Sequence, residues 1–373
     1  MIKYIGSKRA LLDWILKVIK IIIKNDESLS KKQKNNIKIL DPFSGSCRVS
    51  YALKKEGYYV IAGDYMYFSF LLAKALIETN KSDYPESKVL PILDYLNNLE
   101  PEDAGWFTKN YSLEAKFFQE HNAKKIETIR KKIEEYKYDE NLYSILMTSL
   151  IIAADKVDST TATQMAYLKK WAPRSYNNII LEYPPLLYGD GLAIHGDSLE
   201  WSPQYEVDVA YLDPPYNQHS YLSNYHVWET LALFDNPNVY GKVNKRQEAK
   251  MKKSLFNIKK MHKEALQKMI KELKSEYIVI SFNNESYLSV QEITNICNIR
   301  NKPIVISHPH KRYIGAIIGI YNQKGEKVGK VKSTRNLEYL FIIPPNEEQY
   351  AKLKNELSCE NQNVIYSHNI NLF

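Results

Sequence analysis

The chain reads as an α/β fold: a mostly parallel sheet with one antiparallel hairpin strand and a helical lobe inserted into it. Three observations carry this. Near the N-terminus short apolar runs alternate with helical patterns, strand–helix–strand–helix, the order that builds parallel sheets. From about residue 81 to 185 the alternation stops, and the chain is charged and helically spaced with no clear strand. Strand-like runs then return. The last two are joined only by a polar segment containing Gly325 and Gly329, so they pair as a hairpin without a crossover helix.

Residues 11–24 carry isoleucine and leucine at helical spacing and predict a helix, followed by a polar loop over 25–36. The apolar run 37–40 is a strand stopped at Asp41-Pro42. A helix over 48–56 closes at Gly57, a second strand covers 58–62 and ends at Gly63-Asp64, and a helix covers 65–79. After the insertion, 193–195 and 207–212 are strands, 261–274 is a helix and 277–282 a strand. The closing hairpin is 314–321 with 337–343. The division that follows is a main domain of 1–80 and 186–373, with 81–185 as the insertion.

A length of 373 residues and 44% hydrophobic content suit one large domain, or a domain with an added lobe, and exclude a disordered tail. The three cysteines, Cys47, Cys297 and Cys359, are far apart and form no CxxC pair. That speaks against a disulfide framework or a zinc site and fits a reducing cytoplasm. The polar, basic first nine residues lack a secretory pattern, and the longest apolar run, 145–154, is too short to span a bilayer. The expectation is a cytoplasmic protein with no membrane association and no bound metal. A net charge of +8 attracts polyanions. Lysine is abundant throughout, so charge alone does not separate a nucleic-acid binder from a lysine-rich composition.

Three loops fall at strand ends, where ligands sit in open α/β sheets. In Asp41-Pro42-Phe43-Ser44-Gly45-Ser46-Cys47, small residues precede a helix N-terminus, which suits an anionic group; an ordinary strand–helix turn would look the same. Asp64 can accept from both hydroxyls of a ribose, or simply cap the next helix. Asp213-Pro214-Pro215-Tyr216 is the most specific feature. Two prolines remove backbone donors and stiffen the chain, leaving Asp213 and the Pro214 carbonyl as fixed acceptors beside an aromatic ring. That set suits a planar base with an amino group: the ring stacks, and the two acceptors take the amine protons and localise its lone pair. A rigid exposed turn is the plainer alternative.

On these motifs the sequence resembles the amino-methylating DNA methyltransferases, in the alpha-group order of cofactor loop, insertion, catalytic loop. More closely it resembles the FokI-type adenine-N6 modification methylases, from KYIGSKR at 3–9 through YLDPPYNQHSYLSNYHVWETL at 211–231 and ISFNNES at 280–286 to LEYLFI at 337–342. The resemblance implies the sheet of a class I S-adenosylmethionine-dependent methyltransferase, with S-adenosylmethionine as cofactor. It implies cofactor roles for Tyr4, Gly6, Ser7, Lys8, Asp41, Phe43, Ser44, Gly45, Asp64 and Asp197, and catalytic roles for Asp213, Pro214, Pro215 and Tyr216. It also implies double-stranded DNA and a cognate restriction endonuclease as partners. One departure stands out: Cys47 occupies the place of the loop's frequent second glycine, which restricts backbone approach to the methionine end of the cofactor.

An adenine amine paired inside a duplex is reached only by extruding the base. His219, Tyr221, Tyr225 and His226 follow the catalytic loop and pack around the flipped base, or else form a core-facing aromatic stripe. Lys169, Lys170 and Arg174, close to Trp171, suit DNA contact, and the insertion is the expected target-recognition region. A basic run over 242–260, including Arg246, reads as a solvated face. The rival readings are a methylase of RNA or another planar amine, and an inactive DNA-binding subunit. A dinucleotide-binding dehydrogenase leaves residues 213–216 unexplained.

Overall fold

A computed structural model describes residues 2–4, 8–160, 163–165, 170–216, 220–250, 254–284, 286–311, 320–321, 327–329, 335–359 and 363–365. The first strands are β1 (Lys38–Asp41), β2 (Tyr59–Asp64), β3 (Gly191–His195), β4 (Glu206–Leu212), β5 (Val239–Tyr240) and β6 (Lys245–Arg246). They are followed by β7 (Lys274–Asn283), β8 (Ile304–Lys311), β9 (Ile320–Tyr321), β10 (Lys327–Gly329), β11 (Arg335–Ile343) and β12 (Asn363–Ile365). The chain forms two compact units, one of 1–12, 33–202 and 219–254, the other of 13–32, 203–218 and 255–373.

In the first unit β2 lies between β1 and β3, and both pairings are parallel. Ile39, Leu40, Val60 and Ala62 are fully buried, as expected where helices cover both faces of a parallel sheet. The helix Arg48–Lys55 joins β1 to β2. The helix expected over 65–79 begins at Tyr67 and is not uniform: an α-helical stretch, Tyr67–Ala73, passes into a π-turn, Lys74–Glu78. The Lys54 ammonium donates to the carbonyls of Ile77 (2.7 Å) and Thr79 (2.8 Å), occupying acceptors that the helix end leaves open. Among the described residues, 81–185 contains no strand. Its main helices are Glu86–Asn97, Glu120–Ile133 and Glu140–Val157, and they belong to the same compact unit as β1–β3. The last of these is apolar nearly all round and starts at Asp139, whose carboxylate accepts from the Leu142 N–H at 3.0 Å.

In the second unit β4 and β7 are parallel. β11 lies antiparallel between β7 and β8, and β12 is antiparallel on the far side of β8. The class is therefore the expected mixed α/β one, but the partner of β11 differs from the expected hairpin. β11 pairs instead with β8, which was not anticipated, while β9 pairs with β10; residues 314–319 of the expected strand lie outside the described residues. Pro309 obscures β8 in the sequence. In the structure Pro309 lies within β8, opposite Leu337 of β11. Among the described residues no helix is long and apolar enough to cross a membrane.

Candidate active site

In the first unit the loop leaving β1 is hung on the end of β2. Ser44 N–H donates to the Gly63 carbonyl at 3.0 Å, and Gly45 N–H to Asp64 Oδ2 at 2.9 Å. Cys47 N–H closes a tight turn onto the Ser44 carbonyl at 2.7 Å. Buried Asp41 accepts from Ser50 Oγ, which ties the loop to the helix behind it. Phe43 is half-buried. Gly45 has φ +50°, and a Cβ there would stand 2.9 Å from Tyr4 Cε1. The Tyr4 ring is itself stacked at 4.5 Å on Tyr225 and at 5.5 Å on Tyr221. Tyr4 is held from the residue before it: Lys3 Nζ reaches Asp158 Oδ1 at 2.6 Å and the Asp155 carbonyl at 2.5 Å. Lys8 is buried in a short 3-10 turn, whereas Gly6 and Ser7 lie outside the described residues.

Cys47 sits at φ 60°, ψ 21°, in the left-handed region. A glycine takes that conformation freely and a side chain pays about 1 kcal/mol, which is the physical sense of the glycine this position carries in the resembled motif. The thiol faces the Ser69 carbonyl at 3.9 Å. Burial first, and then the Asp41 charge, push its pKa up, so Cys47 stays protonated and is no nucleophile.

Asp64 is half-buried and accepts from Met66 N–H at 2.8 Å as well as from Gly45. Burial outweighs these bonds and lifts its pKa to about 6. Asp197 caps the helix Ser198–Trp201, accepting from Leu199 N–H at 2.9 Å, and stays half-buried.

In the second unit Asp213–Tyr216 follows β4 without a break. Asp213, Pro215 and Tyr216 are half-buried and Pro214 is buried. The loop is pinned by the carboxyl end of the adjacent parallel strand. Asn283 Nδ2 donates to the Tyr216 phenol at 3.1 Å, and Phe282 lies 6.2 Å from the Tyr216 ring. Tyr287 N–H donates to the Tyr216 carbonyl at 3.1 Å. Sequence reasoning did not assign Asn283 or Phe282 a role, although both lie in the ISFNNES stretch it quoted.

The expected DNA contacts divide. Lys170 is exposed and Tyr221 half-exposed, while Lys169 and His219 lie outside the described residues. Tyr225 is fully buried against Tyr4. His226 is in the core, its Nδ1 3.1 Å from the Ser223 carbonyl and its Nε2 2.9 Å from the Val243 carbonyl, with burial lowering its pKa to about 4. Both rings belong to the core-facing stripe, and neither is exposed to meet DNA. Arg174 is drawn onto buried Asp158 at 2.7 Å, so much of its charge is already countered. Arg246, read as part of a solvated face, is 2% exposed and paired with Asp235 and Glu248.

The model of the D12 class N6 adenine-specific DNA methyltransferases matches residues 4–296. Modification methylase StsI of Streptococcus sanguinis is 33% identical over 308 positions, covering 79% of this chain and 46% of that protein. Type II methyltransferase M.FokI of Planomicrobium okeanokoites is 32% identical over 396 aligned positions, covering 100% and 56%. The chain thus spans about half the length of these two relatives. Type II methyltransferase M.NlaIII of Neisseria lactamica is 30% identical over 354 positions, covering 91% and 98%. With four fifths of its length matched by one family model, and a 30% identical relative aligned over 91% of it, the chain belongs to the D12 class N6 adenine-specific DNA methyltransferases.

Proposed function

We propose that this chain transfers a methyl group from S-adenosylmethionine to the N6 amine of an adenine flipped out of duplex DNA, within a defined sequence. The observation that carries the reading is the pinned tetrapeptide: an acidic side chain and a proline carbonyl at the end of a buried strand, beside a tyrosine fixed by Asn283 and Phe282. When bound, S-adenosylmethionine supplies a methyl group on a sulfonium, electrophilic enough for an aromatic amine. The residues of the first unit suit such a molecule. Asp64 offers a half-buried carboxylate for paired ribose hydroxyls, and the turn at Ser44-Gly45 stands before a helix N-terminus that favours a carboxylate.

The chain's own groups then perform three tasks. Tyr216 stacks on the extruded base, which compensates part of an unstacking cost of a few kcal/mol. Asp213 Oδ and the Pro214 carbonyl accept hydrogen bonds from the two amine N–H groups, drawing the nitrogen toward tetrahedral geometry and freeing its lone pair, and the methylated nitrogen then gives up one proton to solvent. Their rigidity, from two successive prolines, means little reorganisation as charge develops. Lys170, Tyr221 and the helices of 81–185 supply phosphate contact and target recognition. A restriction endonuclease cutting the same sequence, and a cytoplasmic location, complete the reading.

Labelled S-adenosylmethionine offered separately with duplex DNA, RNA and protein tests it. Label confined to adenine N6 of DNA is expected, with single-molecule sequencing giving the context. Label in RNA or protein alone would overturn it, and failure to bind the cofactor at all would favour an inactive DNA-binding subunit.

A further inference from the structure

Glu229 is 7% exposed and lies on the helix His226–Leu233, a short way along the chain from the catalytic tetrapeptide. Its two oxygens accept from the N–H groups of Tyr67 and Phe68, each at 3.1 Å. These are the first donors of the helix that follows β2, whose own cap residue, Met66, makes no side-chain cap. The preceding donor, Met66 N–H, is held by Asp64. Three successive N–H groups are therefore gripped by two carboxylates from different elements, and Asp64 also receives Gly45 N–H.

The arm that carries Glu229 is fixed. Gln164 Oε1 accepts from Val227 N–H at 2.9 Å, both His226 nitrogens face carbonyls, and the Arg130 guanidinium holds the Leu231 (2.6 Å) and Ala232 (2.9 Å) carbonyls at the helix end. Just before that helix, Tyr225 stacks on Tyr4, which covers Gly45. Two legs from one segment thus reach the two groups assigned to the cofactor.

Resting on the function proposed above, we infer that Glu229 is a positioning residue for S-adenosylmethionine: it fixes the backbone on which the Asp64 carboxylate depends. Tyr225 acts as its companion leg, steadying Tyr4 over Gly45. A local serine or aspartate would cap this helix at less cost than a remote buried carboxylate. The charged groups facing Glu229 are Asp64 and Arg246, and the Arg246 charge is already countered by Asp235 and Glu248. Burial lifts Glu229 to about 7, and the like charge of Asp64 adds to this.

Calorimetry of the full chain with S-adenosylmethionine across pH 5 to 8, alongside duplex DNA binding, is the test. Glu229→Gln is expected to bind the cofactor about tenfold more weakly at pH 8, with DNA affinity within about twofold of the parent. The gap should narrow toward pH 5, where the parent Glu229 is itself protonated and resembles glutamine. Glu229→Asp keeps an ionisable carboxylate and should recover most of the cofactor affinity at pH 8. Parental cofactor affinity in Glu229→Gln at pH 8 overturns the inference, as does an equal loss of cofactor and DNA binding with a gap that does not change with pH. Loss of fold by circular dichroism in both variants also overturns it, since the residue would then serve the fold alone. If the parent itself bound no cofactor, the broader reading would fail instead.

Discussion

The Asn283 amide donates across 3.1 Å to the phenolic oxygen of Tyr216, joining the end of β7 to the tetrapeptide that ends β4. Together with Phe282, 6.2 Å from the ring and tilted 51° to it, and the Tyr287 N–H on the Tyr216 carbonyl, it fixes the Tyr216 ring.

Removing that bond should act on the base alone. Asn283→Ala releases one hydrogen bond worth about 1 kcal/mol, so kcat/KM for duplex DNA should fall about fivefold. Cofactor affinity should not change. Steady-state kinetics against each substrate separates the two, and an effect confined to S-adenosylmethionine would count against the assignment.

Gly45 is constrained twice over. Its φ of +50° penalises any side chain, and a Cβ would meet Tyr4 at 2.9 Å while Tyr225, stacked at 4.5 Å on Tyr4, resists its retreat. Gly45→Ala should lose about 1 kcal/mol or more of stability and bind S-adenosylmethionine at least about tenfold more weakly. Urea unfolding and calorimetry read the two effects, and unaltered cofactor binding would show that the loop does not approach it.

His226 provides a pH test of the buried stripe. Burial lowers its pKa from 6.5 to about 4, so the folded state takes up its proton less readily than the unfolded chain. Its contribution is therefore complete above about pH 6.5 and is lost as pH falls toward 4. His226→Ala should lower stability at pH 7.5 by about 2 kcal/mol or more and flatten the pH dependence across that window. The salt dependence of DNA binding should not change, because no phosphate contact is lost. Parental stability with a shallower salt slope would return His226 to the DNA interface.

Much of this architecture was legible because the physics was local. The runs at 37–40, 58–62, 207–212 and 277–282 are apolar enough to be strands buried in a parallel sheet, and β1, β2, β4 and β7 fall on them. Asp213–Tyr216 was legible because two prolines leave few conformations. The rest depended on distant groups. β8 was hidden by Pro309, which argues against a strand in the sequence yet pairs opposite Leu337 of β11. Cys47 looked like a simple departure until its left-handed backbone was placed. Tyr225 and His226 carry chemistry that suits DNA, and only the burial around them shows that they serve the core. Glu229 gave no signal, since its partners are backbone groups about 160 positions away.

Single-turnover methyl transfer by Asp213→Ala, with cofactor binding measured on the same protein, bears most directly on the mechanism. The rate on a duplex containing the target sequence should drop by more than about a hundredfold while S-adenosylmethionine affinity is retained, because the missing carboxylate acts on the amine. A rate close to that of the parent would contradict the account.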